Sequence, residues 1–128
     1  MQMIRTIPVK EILTASSRTQ LKDKFDQRTQ QLDQECRQLS FEQKKLERKP
    51  GIAKQDVERR FSKEINRRKD QLRWLEYQRQ QLDTLPDGSE LETDEVEALV
   101  TVEEGDHWAE VTQEQQILIK DGKVIRAR

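Results

Sequence analysis

Apolar residues recur every seven positions along one stretch of the chain and again along the next. Phe25, Leu32, Leu39 and Leu46 are each seven apart. Phe61, Ile65, Leu72, Leu75 and Leu82 follow at a 4-7-3-7 spacing, which also belongs to a heptad seam. Between them stands Lys49-Pro50-Gly51-Ile52. Two long helices interrupted by Pro-Gly bury their stripes by folding back on one another. The pattern predicts helices over 17–48 and 53–83, joined as a long antiparallel two-helix coiled-coil hairpin.

The register follows from the same spacing. The first seam reads Leu21, Phe25, Arg28, Leu32, Glu35, Leu39, Glu42 and Leu46, and the second Phe61, Ile65, Arg68, Leu72, Leu75, Arg79 and Leu82. Facing residues of an antiparallel hairpin have a constant index sum, here about 103 or 104 for a turn near Gly51 and Ile52. Leu39 then meets Ile65, Leu32 meets Leu72, and Glu35 meets Arg68, an opposite-charge match that makes these two a register pair. Arg28 and Arg79 find no such match, and their stems are expected along the seam with their heads in solvent. Ser16, Ser17 or Thr19 is the expected cap of the first helix.

The rest of the chain reads as strands. The segment 3–9 is a short strand, and Pro8 predicts an edge position or a strand end. Leu85-Pro86-Asp87-Gly88 stops the second helix. A short helical turn over 94–99 is expected, capped by Thr93 or Asp94, with a strand over 98–102. Asp121-Gly122, set between the apolar runs 116–120 and 123–126, predicts a tight β-hairpin. The expected fold class is α+β: the helical hairpin on a small antiparallel β base formed by the N-terminal strand and the C-terminal strands. The expected domains are 1–13 (the strand joining the base), 14–84 (the hairpin, tip near 49–53) and 85–128 (a small acidic β-domain).

Composition sharpens this picture. Only 32% of the 128 residues are hydrophobic and 38% are charged, which suits a thin seam and a small β core better than a large globular interior. The net charge of −1 conceals a split. Residues 44–73 carry twelve Lys/Arg against five Asp/Glu, whereas 85–128 carry four against twelve. A tip bearing Lys45, Arg48, Lys49 and Lys54 suits an acidic protein or the phosphates of RNA. No aromatic residue is expected at the tip to stack bases, which weighs against single-strand binding. Phe41, Trp74 and Tyr77 lie off the seam and predict either self-association as a homodimer or packing under the β-domain.

Catalytic chemistry finds little support. The chain has one His and one Cys, so neither a paired-histidine metal site nor a disulfide within the chain is available. Cys36 reads as a small apolar residue beside the seam. Gly105-Asp106-His107-Trp108 reads as a turn followed by a core Trp; the sharper reading makes Trp108 a partner anchor. No catalytic residue, cofactor or metal ligand is expected. No apolar run reaches membrane-spanning length and no signal segment precedes the first strand, which predicts a cytoplasmic protein without a membrane partner.

Several segments carry a resemblance. These are the runs 7–13, 34–39, 60–65, 81–86 and 105–108, with Ile119-Lys120-Asp121-Gly122-Lys123-Val124 at the end. In them the chain resembles the YlqD family of bacterial proteins over nearly its full length. The resemblance implies a bacterial, intracellular protein and brings no activity or cofactor. The layout also looks like prefoldin-type chaperone subunits and transcript-cleavage factors, which mount a helical hairpin on a β base. The latter act through acidic tips, and this tip is basic. The expected function is a non-enzymatic interaction or scaffold protein whose basic tip engages an acidic partner, with an RNA-binding or ribosome-assembly factor as the alternative.

Overall fold

The computed structural model describes residues 1–128. The elements in order are β1 (Gln2–Ile12), α1 (Ala15–Glu47), α2 (Lys54–Thr84), β2 (Glu90–Thr101), α3 (Trp108–Val111), β3 (Ile117–Lys120) and β4 (Lys123–Ala127). The fold is α+β, with two long helices, one short helix and a four-stranded mixed sheet. It divides into two compact units. One comprises Met1–Gln20 and Gln81–Arg128, and the other Leu21–Gln80.

The first unit is built on a sheet of order β2-β1-β3-β4. β1 pairs antiparallel with β2 from Gln2 opposite Thr101 to Ile12 opposite Glu90, with a bulge after Val9. On its other side it pairs with β3 through Val9, Lys10 and Glu11, and this pairing is parallel. The expected all-antiparallel base is therefore corrected to a mixed one. β1 is internal at its C-terminal end, so the edge position expected from Pro8 holds on the β3 side only as far as Pro8. Pairing with β3 begins one residue later, clear of the missing N–H.

The expected helical turn over 94–99 is also corrected, since all of these residues lie in β2. A long ladder with β1 satisfies their backbone groups, whereas a lone helical turn fixes several dihedrals for one hydrogen bond. Five carboxylates (Glu90, Glu92, Asp94, Glu95 and Glu97) line this edge strand, a composition that discourages pairing with another chain. β3 and β4 form the predicted hairpin. Asp121 and Gly122 both have positive φ, 49° and 81°, the requirement of a type I′ turn and the reason Asp-Gly suits it. Ile7, Val9, Leu13, Leu82, Leu91 and Leu118 are this unit's buried apolar residues.

α1 is capped by Thr14, not by Ser16, Ser17 or Thr19. The Ser17 N–H donates to Thr14 Oγ1 at 3.1 Å, and the Thr14 N–H donates back to Ser17 Oγ at 2.8 Å. This reciprocal box satisfies an orphan donor at the helix start. Thr14 Oγ1 also donates to Asp121 Oδ1 at 2.7 Å, which fastens the β3–β4 turn to the cap. α2 ends without a basic residue in its last turn. Arg18 supplies the missing cation: its guanidinium donates to the Leu82 and Leu85 carbonyls and, at 2.8 Å, to Asp87 Oδ1. α3 is tied to β1 by Arg5, which donates to the Val111 and Thr112 carbonyls at 2.9 and 3.3 Å.

In the second unit Phe25 and Leu32 of α1 and Val57, Leu75 and Gln78 of α2 are buried. Leu39, Leu46, Phe61, Ile65 and Leu72 are half-buried. Within this unit three side-chain contacts join the helices. Arg68 Nε donates to Glu35 Oε2 at 3.0 Å, Arg28 Nη2 to Gln71 Oε1 at 3.2 Å, and Arg79 Nη1 lies 3.0 Å from Asp26 Oδ1. The last contact is an ion pair whose geometry falls short of a hydrogen bond. Two seam expectations change. Arg79 has a partner, and Gln78 takes the buried position beside it. Val57 extends the stripe of α2 by one turn towards its N-terminus, at a spacing of four from Phe61 that lies outside the expected seam.

Candidate functional site

The charge that distinguishes residues 44–73 comes to the surface. Lys45, Arg48, Lys49 and Lys54 are all exposed. α1 ends at Glu47, the Lys49 N–H closes a last bond to the Leu46 carbonyl at 3.1 Å, and Pro50-Gly51 carries the chain to α2. Gly51 has φ of 85°, a turn conformation that glycine adopts at no steric cost. Of the twelve cations in 44–73, only Arg67, Arg68 and Arg73 form ion pairs, each reaching Glu64, Glu35 or Asp70. The four cations around the turn have no carboxylate partner, so their charge is available to a ligand.

Phe41 sets an aromatic ring beside the start of this basic stretch. It is 61% exposed and lines a surface depression of about 410 Å³ with Lys44, Lys45 and Arg48. The spacings of three, four and seven from Phe41 put all four on one side of the helix. The sequence carries this grouping as a helical period that runs from Phe41 into the basic run.

Glu35 and Arg68 are brought together, and Arg68 gathers a second carboxylate. Arg68 Nη1 donates to Glu64 Oε2 at 3.0 Å. The Arg68 hydrogen bond, reinforced by the Arg67 charge, holds the Glu64 carboxyl below its ordinary value of 4.5. The bonds to Glu64 and Glu35 raise the guanidinium pKa further above its usual range. This cluster spans the two helices.

Trp74 and Tyr77 lie on α2 and are 43% and 57% exposed. Trp108 is 65% exposed and starts α3, none of whose residues is buried. The core Trp expected there is thus corrected: a four-residue helix offers too little surface to bury an indole. Asp106, His107 and Glu110 are exposed as well. Cys36 is half-buried in the middle of α1. No group of three or more His, Cys, Asp or Glu side chains is arranged to hold a metal ion, and no helix is long and apolar enough to cross a membrane.

These features define a class: a small α+β protein with a mixed β unit, two long polar helices and an unpaired basic turn between them. The chain belongs to the YlqD family, whose pattern, described as YlqD protein, matches residues 1–128. It is 42% identical over 131 residues to the uncharacterized protein YlqD of Bacillus subtilis (strain 168), covering 100% of this chain and 98% of that one. A crystal structure of a protein of unknown function from Synechococcus sp. WH 8102 has a TM-score of 0.69 at 17% identity, covering 100% of this chain and 94% of that one. That likeness is one of fold.

Proposed function

We propose that α1 and α2 form an antiparallel coiled-coil hairpin whose basic tip engages an acidic partner protein, in a non-enzymatic scaffold role in the cytoplasm. The hairpin is supported by the order of the inter-helix contacts. As the α1 position rises from Asp26 to Arg28 to Glu35, its α2 partner falls from Arg79 to Gln71 to Arg68. The observation that carries the function is the cluster of four exposed cations without carboxylate partners at the turn. Charges of one sign held at the end of an element raise encounter rates and favour an oppositely charged surface.

The tagged protein, purified from its own cells with and without nuclease, tests this reading. The K45A, R48A, K49A, K54A variant is expected to lose the acidic partner while keeping its melting temperature. An unchanged partner set would overturn the proposal.

RNA is the second reading, and Phe41 favours it. An exposed ring among three cations combines base stacking with phosphate contact. On this reading affinity for an oligoribonucleotide falls steeply with salt, and Phe41→Ala weakens it without changing the salt slope. Affinity independent of salt excludes it.

A further inference from the structure

α1 carries a second stripe beside its seam. Gln27, Gln31, Gln34, Gln38 and Phe41 are spaced 4-3-4-3, and all five are exposed. None is charged, on a helix pair where most exposed positions are. Arg28 identifies the same side on α2. Its guanidinium donates to Gln31 at 3.0 Å and to Gln71 at 3.2 Å, so both amides lie on one flank. Trp74 follows Gln71 by three positions on that flank. A groove of about 450 Å³ runs along it, lined by Gln31, Gln34, Gln38 and Leu39 together with the charged Glu35, Glu42 and Arg68. The uncharged feature is the α1 stripe itself, bordered by Arg28, Glu35, Glu42 and Arg68, and an uncharged stripe ending in an exposed ring inside a charged border has the make-up of an interface core and its rim.

We propose that a second copy of this chain packs on this flank, an inference that rests on the antiparallel pairing of α1 and α2. Three arguments select that occupant. The 4-3-4-3 spacing is the one a helix crossing at about 20° fits. A glutamine amide both donates and accepts, so the stripe meets its own copy without like-charge repulsion, and a self-facing stripe needs that property. Size agrees too. From position 27 to 41 a helix spans about 21 Å, and two helices are about 20 Å wide, so two copies bury on the order of 1,000 Å², the lower bound for a specific dimer. The added layer would also finish the burial of Leu39, Ile65 and Leu72, which two helices leave half-open.

Sedimentation equilibrium of the full chain after nuclease treatment tests this. The expected mass at micromolar concentration is twice 15.3 kDa. Q34E combined with Q38E puts four like charges into the interface and is expected to give monomer with unchanged helical circular dichroism. W74S is expected to raise the dissociation constant at least tenfold. The K45A, R48A, K49A, K54A variant is expected to stay dimeric, so loss of partner binding and loss of the dimer are separable. A monomeric parent protein, or a dimer undisturbed by Q34E, Q38E and W74S together, overturns the proposal. So does a parent mass that doubles only before nuclease treatment, because RNA would then account for the association. A bismaleimide link between E35C and R68C in a C36S background checks the underlying pairing: linkage within one chain supports it, and linkage only between chains overturns both readings.

Discussion

Arg68 of α2 donates to Glu35 of α1 at 3.0 Å and to Glu64, one turn before it on its own helix, at 3.0 Å. One guanidinium thus couples a bond within a helix to a bond between helices. Its planar fork of donors suits two carboxylates, which a lysine ammonium would serve less well. Arg68→Ala is expected to lower the melting temperature by a few degrees, and Arg68→Lys to recover only part of that loss. The exchanged pair E35R, R68E is expected to be more stable than either single change. Thermal melts of the four proteins form the double-mutant cycle, and strict additivity would mean that the contact contributes nothing.

The same cluster makes stability depend on acid. The Glu64 carboxyl is held below 4.5 in the folded chain, so its ionised form is favoured by folding. The stabilisation is complete above that ordinary value and is lost as pH falls through the lowered one. Melting temperatures of the parent and Glu64→Gln should differ at neutral pH and converge in strong acid. A gap that persists in acid would show that the glutamate acts through packing rather than charge.

Arg18 closes the C-terminal end of α2 through the Leu82 and Leu85 carbonyls and Asp87. Its side chain is 25% exposed, so the bonds are partly shielded from water. Arg18→Ala is expected to cost about 2 kcal/mol, the scale of charge-assisted bonds to groups that are otherwise left unsatisfied. Chemical denaturation measures it. The Asp87→Ala change alone should cost less, because Asp87 is 72% exposed.

Thr14 is a hub: it caps α1 and holds the Asp121 carboxylate. Thr14→Ala is expected to cost about 1–2 kcal/mol, with Thr14→Ser close to neutral. Amide exchange should show the loss first in the opening turn of α1.

Gln78 predicts a gain. It is buried, and its Oε1 has no hydrogen-bond donor. An unsatisfied buried acceptor costs about 1–3 kcal/mol, so Gln78→Met, similar in length and without that acceptor, is expected to raise stability by about 1 kcal/mol. A loss on denaturant titration would mean that the amide fills a role beyond packing.

Much of the architecture is written locally in the residues. Seven-residue spacing, Pro50-Gly51 and Asp121-Gly122 determine two long helices, the break between them and the β3–β4 hairpin, because each rests on neighbouring side chains or on one backbone conformation. The charge split between the turn and the C-terminal segment is likewise legible as composition. The approach of Glu35 to Arg68 follows from counting along two periodic stripes.

Other features exist only in three dimensions. Sheet order is set by backbone hydrogen bonds, which carry no residue code, so the parallel partner of β1 and the strand at 94–99 emerged only when β1 offered its two sides. Thr14 became the cap because the entering strand and the 121–122 turn meet there, and Trp108 stayed outside because its helix is too short to cover it. Phe41 joins Lys44, Lys45 and Arg48 through helical winding, which turns distance along the chain into proximity on one face.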